Sequence, residues 1–183
     1  MTASMRRRRF MVDDYHRMAE AGILMEDDPV ELIAGENIEK CSITARHVWC
    51  TNRLNHLLIP QLGDGLLGSP RNPVRLSDDS EPEPDFAIIR DRPYEELPTP
   101  ADVLLVIEVA DSSQEYDRGV KLPLYAAAGI PEAWLIDLAA EMVERHTGPG
   151  KGFYRLTALA LRGESLTSTV LPGLTIAVDD VLG

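Results

Sequence analysis

The sequence predicts an α/β (α+β) domain in which a mixed β-sheet is flanked by helices. Val103 to Val109 is an almost unbroken β-branched and leucine run, the pattern of a strand buried on both faces. A helical pattern over Tyr116 to Ala128 follows, Gly129 closes it as a C-terminal cap would, and Glu132 to Leu138 returns as a second apolar strand, completing a strand–helix–strand unit. Beyond it, Met142–Arg145, Phe153–Leu159 and Ser165–Val170 read as short strands separated by Gly and Pro, a meander added to the main sheet, with a short turn from Val178.

At 183 residues and 44% hydrophobic, the chain suits one domain with a real core over residues 10–183, preceded by a disordered basic tail at 1–9. No apolar run approaches the ~18 residues that span a bilayer, and the basic cluster Arg6–Arg9 precedes a polar stretch rather than a signal-peptide core, so a cytoplasmic protein without membrane contact is expected. Cys41 and Cys50 lack ligand spacing and read as buried or idle thiols rather than a disulfide or zinc site. A net charge of -12 argues against a protein that coats nucleic acid through a broad basic face, although the acids concentrate between Asp78 and Glu96 and a metal site can account for some of them.

Taken in order, Phe10 to Ala21 reads as a short helix, and residues 29–41 as two short strands turning around Gly35 and Glu36. Ser42 or Thr44 caps the next helix, Ala45 to Leu62, with Val48, Leu54, Leu57 and Leu58 at near-helical spacing. His47 and His56 on that helix are too far apart for a shared metal, which favours packing or surface roles. Residues 63–80 are rich in turn formers, with one strand expected at Asn72–Leu76. In EPEPDFAIIR, Pro82 and Pro84 hold their neighbours extended and Phe86 to Ile89 enter the core as a strand. Glu81 and Glu83 suit an acidic surface loop, whereas Asp85 abuts the apolar strand directly. A calcium loop in DDSEPEPD is excluded by the missing glycine and spacing.

Glu108 is the residue a structural role does not explain. A carboxylate at the end of a buried strand needs a cation, hydrogen-bond donors or a metal, and strand ends are where α/β sheets place ligands. An acid opening one strand, Asp85, another near the end of the next, Glu108, and a nearby lysine are the parts of a metal-assisted phosphodiester hydrolysis site. Mg²⁺, or Mn²⁺ in its place, retains several waters and needs only one or two carboxylates, here Asp85 and Glu108. A lysine would orient the water or stabilise the phosphate. Of the chain's lysines, Lys40, Lys121 and Lys151, Lys121 lies nearest Glu108 in sequence. Pro123 requires the helix either to begin near Leu122 or to bend there, leaving Lys121 in its first turn or just before. The alternative for Lys121 is a solvated pairing with Asp117 or Glu115.

Pro84 and Asp85, Glu108 in EVADSS, Asp117, Lys121, Tyr125, Gly129 and the PEAWLID return together resemble the Uma-type putative restriction endonuclease family, a branch of the PD-(D/E)XK nuclease superfamily; ELIAGE (31–36) and His47 resemble its N-terminal segment. The resemblance spans roughly residues 10–175. It implies a restriction-endonuclease-like sheet, DNA as substrate and self-association, commonly a homo-dimer. The superfamily's lysine sits two residues after the acid; Ala110 stands there in this chain, so the resemblance implies that Lys121 acts from the helix instead. It also implies Glu31 as an additional acid. The leading expectation is therefore an Mg²⁺-dependent DNA endonuclease with Asp85, Glu108 and Lys121 as catalytic residues. The second, supported by the acidic balance and the displaced lysine, is a catalytically silent homo-oligomeric binding or regulatory protein of the same fold.

Overall fold

The computed structural model describes residues 7–25 and 27–183. The expected basic tail therefore lies mostly outside the described residues; of its described part, Arg7 pairs with Glu36. α1 (Val12–Glu20) leads into a hairpin, β1 (Val30–Ile33) and β2 (Glu36–Glu39). Its turn is Ala34–Gly35, both with positive φ (48° and 78°), the geometry that two-residue hairpin loops use to match strand twist. α2 (Ala45–Leu58) starts at Thr44, whose hydroxyl accepts from the His47 amide.

Six strands form the central sheet: β3 (Leu66–Pro70), β4 (Phe86–Arg90), β5 (Val103–Ala110), β6 (Glu132–Asp137), β7 (Met142–Pro149) and β8 (Tyr154–Leu161), in that spatial order. β5 and β6 run parallel and every other neighbouring pair is antiparallel. The expected strand at Asn72–Leu76 does not form. Pro73 has no N–H, the amides of Val74 and Leu76 donate to Pro82 and Ser80 of one segment while that of Arg75 donates to Pro98 of another, and Pro82, also without an N–H, cannot return a bond to Val74, so no continuous ladder forms. The edge strand instead lies upstream, at β3. The third meander strand is also cut short: β9 (Ser165–Thr167) leaves the main sheet and pairs with β10 (Thr175–Ala177), before α5 (Val178–Leu182) ends the chain.

Between β5 and β6, α3 (Gln114–Tyr116), a π-helical turn (Asp117–Lys121) and α4 (Leu122–Ala128) follow one another. The helical pattern thus begins earlier than Tyr116, and Pro123 sits behind a widened turn. Lacking an N–H, it leaves the Gly119 carbonyl without its α-helical partner, a deficit the widened turn accommodates. Gly129, at φ 82°, makes the left-handed cap.

Alternation along β5 decides what each face meets. Leu105, Ile107 and Val109 pack with Cys50, Leu54 and Leu58 of α2 and with Val178 and Val181 of α5. Val106 and Ala110 pack with Leu122, Tyr125 and Ile130 on the opposite face. Glu108 shares the parity of Val106 and Ala110, so it projects toward the Gln114–Ala128 segment. No helix among the described residues is long and apolar enough to cross a membrane. Both cysteines are free, and burial pushes the Cys50 thiol up to about 12.

Candidate active site

The register of β4 on β5 brings the first two expected acids together. Phe86 pairs with Ile107, so one step outward sets Asp85 opposite Glu108. The Asp85 Oδ2 atom accepts from the Val109 amide at 2.8 Å, fixing that carboxylate beside the strand end. Its other oxygen, Oδ1, lies 3.0 Å from His47 Nε2.

Glu108 is 3% exposed and Lys121 is 5% exposed. The Lys121 ammonium donates to Glu108 Oε1 at 3.1 Å and stands 3.2 Å from Glu31 Oε2. Tyr125 also donates its hydroxyl to Glu108 Oε1. Asp117, Lys121 and Tyr125 are spaced at four-residue intervals, so one side of the helical segment faces the strand acid. The surface pairing of Lys121 is overturned: the helix packs that side against the sheet, and the carboxylates that meet the ammonium come from β1 and β5. Glu31 arrives through the hairpin, where it also accepts from the Glu83 amide at 3.1 Å.

Burial pushes the Glu108 carboxyl up to about 8, against the opposing pull of Lys121 and with further upward pressure from Asp85, Asp117 and Glu31. Burial by itself would lower Lys121, but Glu108, Glu31, Asp117 and Asp85 outweigh it and hold the ammonium above its ordinary value. Asp117 is raised by burial despite the Ser113 hydroxyl that donates to it at 2.6 Å. Three carboxylates and an ammonium thus share a poorly hydrated space, where each group's charge depends on its neighbours.

The cluster forms the floor of a cleft of about 520 Å³ between the hairpin, the start of α2 and the β5–α3 connection. Within it, His47 Nδ1 and Tyr116 Oη are buried without a hydrogen-bond partner among the described residues. Tyr116 was missed in sequence, and His47 was marked only by the family resemblance: the His47–His56 spacing pointed to packing, yet the Thr44 cap sets His47 in the first turn of α2, against Asp85. The acidic loop is corrected as well. Glu81 is buried and 2.9 Å from His16 Nε2, because its amide bonds to Leu32 of β1 and draws it inward, while Glu83 pairs with Lys40.

The donor set suits a hard divalent cation. Glu108 Oε2 takes no hydrogen bond among the described residues, Asp85 Oδ1 has only the His47 contact, and oxygens of this type are what Mg²⁺ selects. No three His, Cys, Asp or Glu residues among those described form a ready metal-binding group. The fit is therefore to an ion held by two carboxylates and water, not to a closed protein cage.

The sequence profile of the Uma2 family, described as putative restriction endonuclease, matches residues 12–179. The chain belongs to this family. Its fold is shared by a crystal structure of a putative nuclease of the DUF820 group from Anabaena variabilis, with a TM-score of 0.70 at 17% identity, covering 94% of this chain and 97% of that one. No curated protein matches the sequence. The mixed sheet flanked by helices is thus the expected restriction-endonuclease-like architecture.

Proposed function

We propose that the chain is a Mg²⁺-dependent endonuclease, able to use Mn²⁺, that hydrolyses DNA phosphodiester bonds in this cleft. Asp85 and Glu108 are its metal ligands, Lys121 its catalytic cation and Glu31 the additional acid that positions that cation. The observation that carries the reading is the meeting of a buried lysine and two strand-end carboxylates at a cleft open to solvent, a combination that stability alone does not favour and that is characteristic of functional sites. A bound divalent cation supplies charge neutralisation and a water of lowered pKa. Asp85 is oriented for binding by the Val109 amide. Lys121, with one donor on Glu108 and a second directed to Glu31, retains a third N–H for a water or phosphate oxygen. Tyr125 steadies Glu108 through the same oxygen, Oε1.

Membership of the Uma2 family supports nucleic acid as the substrate class. Supercoiled plasmid incubated with the protein in Mg²⁺, in Mn²⁺ and in EDTA tests it: nicking or linearisation in either metal, absent in EDTA and in Asp85→Ala, is the expected result. No cleavage by wild type in either metal removes the reading.

The silent homo-oligomeric alternative draws support from the two carboxylates that already occupy Lys121. Self-association is part of either reading. It is supported by β8, an edge strand of the sheet with Leu156, Leu159 and Leu161 exposed, and light scattering at micromolar concentration checks it.

A further inference from the structure

The cleft is lined by many carboxylates, and its cations are mostly spent on them. Lys40 pairs with Glu83, and Lys121 is held between Glu31 and Glu108 below the surface. A polyanion approaching this cleft meets repulsion unless an exposed cation remains to receive it. Arg71 is that cation. It lines the cleft and is exposed, and among the described residues its guanidinium makes no hydrogen bond or ion pair. Its backbone is fixed: the Arg71 amide donates to the Asp85 carbonyl at 3.2 Å, immediately after β3, whose Pro70 pairs with Phe86.

Arg71 also has φ 51°, in the left-handed region that favours glycine. The other non-glycine residues in that region have local explanations, Ala34 in the hairpin turn and Glu141 in the β6–β7 turn with Arg162 as partner. At Arg71 a long charged side chain stands where the backbone would prefer none, with no hydrogen bond or ion pair among the described residues to account for it.

We propose that Arg71 is a substrate-binding residue, whose guanidinium grips a non-bridging phosphate oxygen of the DNA strand next to Asp85. The fork of N–H donors matches phosphate geometry, and the hydrogen bond from the Arg71 amide to the Asp85 carbonyl couples the position of that grip to a proposed metal ligand. This inference rests on the nuclease reading and adds to it the contact that holds the strand.

The test is fluorescence anisotropy of a short labelled DNA duplex, titrated across NaCl with Ca²⁺ in place of Mg²⁺, for wild type, Arg71→Gly and Arg71→Lys. Glycine relieves the left-handed backbone while removing the charge, so its melting temperature should equal or exceed that of wild type and a folding defect is not confused with lost binding. Arg71→Gly should bind more weakly, with the slope of log K against log salt reduced by about 0.9, the value of one phosphate contact on duplex DNA. Arg71→Lys should keep the slope, because the slope counts charge. If Arg71→Gly binds with the wild-type slope, Arg71 touches no phosphate and the proposal is overturned while the nuclease reading stands. If wild type binds no DNA in Ca²⁺, both are overturned together.

Discussion

Lys121 donates to Glu108 Oε1 across 3.1 Å although 13 positions separate them in the chain, and both side chains are buried. The pair joins the helical segment to the end of the central strand, and Glu31 on the other side of the ammonium ties in the hairpin. Removing the lysine would leave the buried Glu31 without its cation and Glu108 without one of its donors. Lys121→Met should therefore lower stability in urea unfolding at pH 7 by about 3–5 kcal/mol, the range for breaking a buried ion pair from one side. Adding Glu31→Gln should recover part of the loss, giving a non-additive double-mutant cycle. An additive cycle would mean that Glu31 and Lys121 are not energetically coupled.

Metal binding should be visible without any cleavage. A cation that binds only the folded chain stabilises it by about 2.7 kcal/mol at a hundredfold excess over its dissociation constant. Melting temperature should rise with MgCl₂ or MnCl₂ in wild type and stay flat in Asp85→Ala. An equal rise in both would place the ion elsewhere.

The same shift should depend on pH through Glu108. Its carboxyl is raised in the folded chain from 4.5 to about 8, so the stability contributed by the neutral form is fully present below about 4.5 and lost as pH rises through about 8. A metal needs the ionised form and must displace the proton. Metal-free stability should thus lose ground between about pH 4.5 and 8 while the increment from added Mg²⁺ grows. An increment that shrinks with rising pH would exclude Glu108 as a ligand.

Tyr125→Phe tests the second donor to Glu108. The hydroxyl is fully buried, and burial followed by the charge of Glu108 raises its pKa well above the usual tyrosine value, so it stays protonated and donates. Its loss leaves a buried carboxyl short of a partner, with an expected cost of about 1–3 kcal/mol in chemical denaturation. No change in the midpoint would show that water replaces the hydroxyl.

A further check lies away from the cleft. Arg118 donates to Asp137 Oδ2 at 2.6 Å and also to Glu144 Oε1. Both carboxyls are held below their ordinary values: burial opposes this, but for Asp137 the Ala140 amide and Arg118 overcome it, and for Glu144 His146 and Arg118 do. The stability they contribute is present above the ordinary carboxylate range and lost as pH falls through the folded values. Since Arg118 is partly exposed, Arg118→Ala should cost only about 1 kcal/mol at pH 7, and the deficit should narrow toward pH 3. A deficit independent of pH would assign the cost to lost packing.

Sequence periodicity by itself determined the strand–helix–strand unit from β5 to β6, the hairpin, α2 and the β6–β8 meander, because local hydrophobic spacing and turn chemistry are properties of neighbouring residues. It also marked Glu108 as anomalous and Asp85 as the acid abutting a strand. Other features depended on contacts between residues distant in the chain. The β3 edge and the failure of Asn72–Leu76 to pair followed from where each amide found a carbonyl, which no local pattern encodes. Glu31 was legible only through the family resemblance, since a glutamate in a short hairpin carries no sign of the helix that later packs over it. His47 was likewise marked only by that resemblance, Tyr116 and Arg71 gave no signal of a shared cleft, and Glu81 looked like surface. Only the register of β4 on β5, the hairpin folded against them and the widened turn before Pro123 decided which charges are buried together, because burial and Coulomb interaction act through space and not along the chain.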